Sequence, residues 1–272
     1  MKTFRRKRKG IRLLAEDRRS YILRQLEARS SVTVSQLSTA FRISEVSVRK
    51  LLASMQKEGS IRRTWGGAVS ACGSLREFSH KEKEPVCLQE KAEIARAAYA
   101  CISDGDAVFL DCGTTTIHLA RLIRTGTKRN LMVATTGVNI AMELAEAEDI
   151  PVILIGGELR HNILSCTGTF AEDMLKTMFF DKGFLSGNHM TLEHGFTTPI
   201  AQEARLKRTI MRNCKEHYIL LDHTKFGDDS LSLIALVSEL DGVITDRQAP
   251  PEILGGLQEQ GVRVIRGGEP AV

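Results

Sequence analysis

The apolar run Val108-Phe109-Leu110, the carboxylate Asp111 that ends it and the turn Cys112-Gly113-Thr114-Thr115-Thr116 leave the surrounding chain few options. A short β-branched and aromatic run closed by glycine and hydroxyl residues reads as a buried strand that turns at once into a helix, here over 117–123. That geometry gathers unpaired backbone N–H groups and the positive end of a helix dipole around one small site, which suits an anion and above all a phosphate. The alternation recurs downstream. Strands are expected at 108–111, 132–135, 152–155, 183–186, 218–222, 242–245 and 262–265, with helices near 91–102, 117–123, 138–147, 170–179, 201–213 and 252–260. Such a pattern predicts a Rossmann-like α/β domain, a mostly parallel sheet covered on both faces, with ligands at the carboxyl ends of its strands.

Four of those strand ends are polar: Asp111 with its Gly-Thr-Thr-Thr turn, Thr135-Thr136-Gly137 with Asn139, Gly156-Gly157, and Asp222-His223-Thr224-Lys225-Phe226-Gly227. Each alone is ordinary turn chemistry. Together on one sheet edge they describe a pocket.

The first quarter of the chain follows another rule. Apolar residues at helical spacing (Ile22, Leu23, Leu26; Val34, Leu37, Phe41; Val48, Leu52, Met55) predict three short amphipathic helices. Thr33-Val34-Ser35-Gln36 has the form of a capping box, and Ser44 can cap the third helix, which Gly59 then ends. A tight turn at Arg42-Ile43 makes the last two a helix-turn-helix, and Ile61–Val69 reads as two strands around a glycine pair, a wing. With Val48, Leu52 and Met55 inward, the third helix turns Val46, Ser47, Arg49 and Lys50 outward, where they can reach base edges in a major groove. Arg62 and Arg63 suit the phosphate backbone, and Trp65 is expected to pack under the wing.

Charge agrees. Residues 1–70 carry 17 Lys and Arg against 5 acids, so of the overall +5 the head holds +12 and the remainder −7. A basic head on an acidic body is the footprint of a double-stranded DNA binder. The 272 residues divide into a basic, disordered tail (1–15), a winged helix-turn-helix domain (16–70), a linker (71–87) and the α/β domain (88–272). Six cysteines without a C-x-x-C pair suit reduced thiols rather than a disulfide framework or zinc site. No membrane span or secretory signal is read, so a cytoplasmic protein is expected.

Two sets of motifs carry a resemblance. Ser44-Glu45-x-x-Val48-Arg49-Lys50 and Glu58-Gly59-x-Ile61-x-Arg63-x-x-Gly66-Gly67-Ala68 resemble the DNA-binding domain of the DeoR family of bacterial transcriptional regulators. Leu110-Asp111-x-Gly113-Thr114-Thr115-Thr116, Gly156-Gly157-x-Leu159-Arg160, Asp181-Lys182-x-Phe184-Leu185, Gly195-Phe196-Thr197-Thr198-Pro199, Glu203-Ala204-x-x-Lys207-Arg208 and Lys225-Phe226-Gly227 are similar to its C-terminal sensor domain. The resemblance implies a fold like ribose-5-phosphate isomerase and a phosphorylated sugar or amino sugar as effector, with a homo-oligomer reading paired operator half-sites. By position, Gly113, Thr114, Thr115 and Lys225 would bind phosphate, while Asp111, Thr135, Glu203 and Lys207 would face sugar hydroxyls or stabilise the pocket. No cofactor, metal or catalytic residue is implied.

The chain departs from the family at Arg42, where glycine is usual in the turn, and at Leu51, where an aspartate follows the basic pair. It departs again at Thr136 for asparagine, at Ser165-Cys166-Thr167-Gly168-Thr169 for Ser-Leu-Val-Gly-Pro, and at Ser186-Gly187-Asn188-His189-Met190 for a glycine-rich segment. The leading expectation is an effector-controlled repressor of a carbohydrate operon. The alternatives are a sugar-phosphate isomerase or deaminase with an appended DNA module, using Asp111, Glu203, His223 and Lys225 as acid–base groups, and an architectural DNA binder with an inert body.

Overall fold

The computed structural model describes residues 15–29, 31–58, 60–70 and 77–268. The basic tail and Gly59, read as the third helix's stop, lie outside the described residues. The chain forms two compact units, one holding the described residues up to 63 and 67–70, the other residues 64–66 and the described residues from 77 on.

In the first unit, α1 (Ala15–Arg29), β1 (Ser31–Thr33), α2 (Val34–Phe41), α3 (Glu45–Lys57), β2 (Ile61–Thr64) and β3 (Gly67–Ser70) follow in order. The strands make one sheet in the order β1-β3-β2, with β1 antiparallel to β3. Ile22, Leu26, Leu37, Val48, Leu52, Met55 and Ile61 form its core. The capping box is present: Thr33 Oγ1 accepts from Gln36 N at 3.1 Å and Gln36 Oε1 from Thr33 N at 3.1 Å. Arg42, at the position expected to need glycine, adopts φ 53° and ψ 47° and donates its N–H to the Ser38 carbonyl. The turn keeps its left-handed shape despite a Cβ that disfavours it.

The second unit runs α4 (His80–Lys83), α5 (Leu88–Ala100), β4 (Ala107–Leu110), α6 (Thr116–Thr125), β5 (Met132–Thr135), α7 (Val138–Leu144), β6 (Val152–Leu154), β7 (Glu158–Arg160), β8 (Ser165–Thr167), α8 (Thr169–Leu175), β9 (Phe180–Ser186), β10 (His189–Thr191), β11 (Gly195–Thr198), α9 (Ala201–Arg212), β12 (Cys214–Leu220), β13 (Ser232–Ala235), β14 (Gly242–Thr245), α10 (Pro251–Glu259) and β15 (Arg263–Arg266). Among the described residues seven strands build one sheet, ordered β15-β14-β12-β9-β4-β5-β6 and parallel throughout. From β4 the chain runs outward through β5 and β6, then returns to pair β9 with the other side of β4. The β4–β9 boundary is therefore the topological switch point.

Strand residues alternate between two apolar layers. Phe109, Leu185, Ile219 and Val243 pack with α8, α9 and α10 residues such as Leu175, Ile210 and Leu254. Val108, Leu110, Phe184, Tyr218 and Ile244 pack with Ile94, Leu119 and Ile140 of α5, α6 and α7. Right-handed crossovers explain the division, because reversing the direction of travel at β4 sends the covering helices to the opposite face. Beside this sheet stand the antiparallel hairpin β7–β8 and a small sheet β10-β11-β13, neither expected from the strand periodicity. No helix among the described residues is long and apolar enough to cross a membrane.

Candidate functional site

Two sites emerge, one in each unit. On α3, Ser44 caps the helix by accepting from Ser47 N at 3.3 Å. Val48, Leu52 and Met55 are buried, while Ser44, Val46, Ser47, Arg49 and Lys50 are all exposed, Val46 by 63%. An exposed valine of this extent on the face opposite the core is what contact with a thymine methyl requires. Glu45 Oε2 lies 3.4 Å from Arg49. Glu45, one turn before Arg49, thus supplies it a carboxylate, and Leu51, at the family's aspartate position, packs half-buried against the head core. Arg63 is exposed on β2, whereas the side chain of Arg62 lies outside the described residues. Trp65, expected under the wing, is 42% exposed at the turn between β2 and β3.

In the second unit a cleft opens at the switch point, where the carboxyl ends of β4 and β9 meet the start of α6. Asp111 leaves β4 and is fully buried. Its Oδ2 accepts from Ser186 N at 3.0 Å, Ser186 Oγ at 2.8 Å and Lys207 Nζ at 2.7 Å. Lys207 also lies 3.0 Å from Glu203 Oε1, one helical turn before it on α9. The i,i+4 spacing of Glu203 and Lys207 puts both on the face that meets Asp111. Glu203 in turn pairs with Arg160 at 3.4 Å and accepts from Thr198 Oγ1 at 3.2 Å, and Arg160 pairs with Glu77.

Burial opposes the charges of Asp111, Glu203 and Lys207, but their partners win. Desolvation would raise the Asp111 and Glu203 carboxyls, yet Lys207 brings both below the usual carboxylate range. Burial would lower Lys207, yet Asp111 and Glu203 hold its ammonium well above the ordinary lysine value. Ionised groups in this setting are stable only as a set.

Above the set lies the turn into α6. The N–H groups of Gly113, Thr114 and Thr115 find no backbone acceptor among the described residues. Thr116 Oγ1 closes the turn by donating to the Asp111 and Gly113 carbonyls at 2.6 and 2.9 Å. Gly113 is obligatory, since a Cβ there would sit 2.2 Å from Ser186 Oγ. Gly113, Thr114, Ser186, Asn188, Glu203 and Lys207 line the cleft.

So do His80 and Lys83, from the stretch read as a linker. The missed signal is Ser79-x-x-Glu82, a second capping box, which starts α4. His80 Nε2 lies 3.0 Å from Asn139 Nδ2, and His80 N donates to the Asn162 carbonyl at 2.7 Å. Burial lowers the Lys83 pKa, with Glu203 opposing it, and its ammonium makes no hydrogen bond or ion pair among the described residues. The room left between these side chains is about 20 Å³. On a scale where roughly 10–15 Å³ holds one water, that is space for about one molecule.

Four residues expected at the phosphate or sugar lie outside the cleft lining, Asp111 being buried beneath Ser186 and Lys207. Thr115 is buried at the helix start, outside the cleft lining. Thr135 is buried and its Oγ1 accepts from Gly137 N at 2.9 Å, so it shapes the next turn. Lys225 follows Asp222 on a short 3₁₀ turn and is not among the lining residues. Burial works to raise the Asp222 carboxyl, but Lys225 and the bond from Thr224 bring it down. At the family's asparagine position, Thr136 Oγ1 accepts from Ser165 Oγ at 3.2 Å, so the substituted side chain is satisfied by a serine that the family pattern shares.

Cys112 lines the cleft as a neutral thiol, its pKa raised by burial. Among the described residues the donor atoms of Cys87, Asp222 and His223 come within 4.8 Å of one another. Burial keeps Cys87 protonated, and the charges of Lys225 and Lys91 act on the same spot, which disfavours a cation.

Comparison with known proteins identifies both parts of the chain. Residues 18–72 match the family model of the DeoR-like helix-turn-helix domain, and residues 87–247 match that of the DeoR C terminal sensor domain. The chain is similar to a putative aga operon transcriptional repressor of Escherichia coli O157:H7, 36% identical over 93% of this chain and 94% of that protein. It is also similar to a lactose phosphotransferase system repressor of Lactococcus lactis subsp. lactis, 30% identical over 86% of this chain and 91% of that protein. A solved D-ribose-5-phosphate isomerase overlaps 52% of this chain and 55% of its own at 15% identity and a TM-score of 0.39, too distant to bear on function.

Proposed function

Because the chain belongs to the DeoR family of transcriptional regulators, we propose that it is a repressor of a carbohydrate-utilisation operon, released by a phosphorylated sugar or amino sugar held at the β4–β9 switch point. The observation that carries this reading is the meeting, in one cleft, of the Gly113 and Thr114 N–H groups, without backbone acceptors at a helix start, with the cation Lys83. N–H groups and a cation together suit a phosphate, because each donates to it and none must be stripped from a protein partner. Below them, Asp111, Glu203 and Lys207 offer the mixed acceptors and donors that sugar hydroxyls need. The names of the two relatives, a repressor of the aga operon and one of a lactose phosphotransferase system, support a sugar as the signal.

The head would read an operator through Val46, Ser47, Arg49 and Lys50 and hold its phosphates with Arg62 and Arg63. Paired heads in a homo-oligomer would match paired half-sites, in the cytoplasm where the operator is. Effector binding shifts operator affinity only by as much as its own affinity differs between the two states. The chain is a regulator and not an enzyme.

A thermal-shift panel of aldose, ketose and amino-sugar phosphates with the full chain tests the reading. A ligand that binds only the folded state raises its melting temperature by mass action. A shift with one phosphorylated sugar and none with its unphosphorylated parent is expected. No shift across the panel would remove the effector from the cleft.

A further inference from the structure

The cleft is lined from two sources of unequal firmness. Gly113, Ser186, Glu203 and Lys207 sit at the ends of central strands or on a long helix. Lys83 sits on α4, a four-residue helix in the stretch that joins the DNA-reading unit to the sheet in sequence. This stretch is tied down at a few points. Glu77 pairs with Arg160 and accepts from Asn162 Nδ2 at 3.3 Å, His80 meets Asn139, and the Lys83 and Glu84 carbonyls accept from the buried Lys91. Arg160 holds Glu77 with one nitrogen and Glu203 with the other, so the start of the segment is one side chain from the sugar-facing set.

With space for about one water, the cleft admits a phosphate only if part of its lining yields. The strand ends are fixed by the sheet; of the remaining lining, Ile163, Gly187 and Asn188 stand in loops and bring no charge, while the α4 segment brings the cation. Its Lys83 is also the one lining cation without a carboxylate at bonding distance among the described residues, since Lys207 is held by Asp111 and Glu203.

We propose that residues 77–84 are the coupling element of this regulator: Lys83 is a ligand for the anionic group of the effector, and the Glu77–Arg160–Glu203 chain ties occupancy of the cleft to the segment leading to the DNA-reading unit. This rests on the effector reading above, which itself assigns no role to Glu77 or Arg160. An effector that draws Lys83 onto its phosphate and competes for Glu203 changes both anchors of the segment at once, so binding chemistry becomes a displacement of the connecting chain.

The test uses the full chain with inorganic phosphate as probe and chloride of matched ionic strength as control. Hydrogen exchange and calorimetric titration are read on wild type, Lys83→Ala, Lys83→Arg and Glu77→Gln. In wild type, phosphate should slow exchange at both 113–116 and 80–84. Lys83→Ala should weaken phosphate binding at least tenfold, with Lys83→Arg restoring most of it. Glu77→Gln should keep phosphate affinity within a factor of two but raise exchange across 77–84 before any phosphate is added. If 113–116 respond in wild type and Lys83→Ala binds as tightly, the coupling element is wrong and the effector cleft stands. If 113–116 do not respond, the effector reading fails and takes this one with it.

Discussion

Lys207 Nζ lies 2.7 Å from Asp111 Oδ2, with both side chains 3% exposed, although the residues come from α9 and the end of β4, 96 positions apart. Replacing Lys207 with methionine keeps the volume and strips both Asp111 and Glu203 of their cation. Breaking a buried pair on one side costs about 3–5 kcal/mol, and here two carboxylates are stranded. A clear fall in the urea midpoint of the full chain is expected, and an unchanged midpoint would show the set to be idle.

The same set dictates a response to acid. Asp111 and Glu203 have folded-state pKa values below their unfolded ones, held there by Lys207 against desolvation. Their contribution is complete above the usual carboxylate range and is lost as pH falls through the lowered folded values. Wild type should therefore lose stability between pH 5 and 3 more steeply than Asp111→Asn, which binds no proton there. Parallel curves from urea titrations across that range would contradict it.

Lys91 works in the opposite window. Burial pushes its pKa down to about 8 from 10.5. Between those values the unfolded chain holds the proton more tightly, so stability rises with pH by at most ~1.4 kcal/mol per unit for this one group. Subtracting the curve of Lys91→Met from that of wild type isolates the effect. The difference should climb from pH 8 to 10, and a flat difference would mean that Lys91 is solvated.

On the head, Lys50 and Arg63 should fail differently. Lys50→Ala removes a group aimed at base edges and is expected to cost about 1–3 kcal/mol on the operator and little on unrelated duplex. Arg63→Ala should weaken both alike and lower the salt dependence by about one counterion. Trp65, the chain's one tryptophan, is exposed on the wing and reports both titrations by fluorescence.

Arg42 holds φ 53° at the end of α2. Arg42→Gly removes the left-handed penalty and should stabilise the head by about 1 kcal/mol, visible as slower amide exchange in α2 and α3. Faster exchange would show that the arginine side chain contributes more than its backbone costs.

Much of this was legible in residue order. The central strands 132–135 and 242–245 fall where periodicity puts them, because buried parallel strands are short apolar runs closed by turn residues. The capping box at Thr33, the inward set Val48, Leu52 and Met55, and the strand–turn–helix at Asp111 were readable for the same reason: each is a local pattern with a local cause. The strand at 218–222 begins earlier, at Cys214, and the hairpin β7–β8 was invisible. Their alternate residues face packing partners far away in the chain, which no window of sequence contains.

Sequence by itself determined the parts: a winged head with its basic face, a parallel sheet with polar strand ends, and a glycine turn fit for an anion. Only the tertiary structure decided which parts meet. Strand order placed β9 beside β4, so Ser186 and Lys207 close on Asp111 while Thr135 and Lys225 do not join the cleft lining. Folding back of 77–84 made Lys83 a lining residue of a site to which its own neighbourhood gives no clue. The reason is physical: propensity and capping act within a few residues, whereas burial and ion pairing are settled by whatever the completed fold brings within a few ångströms.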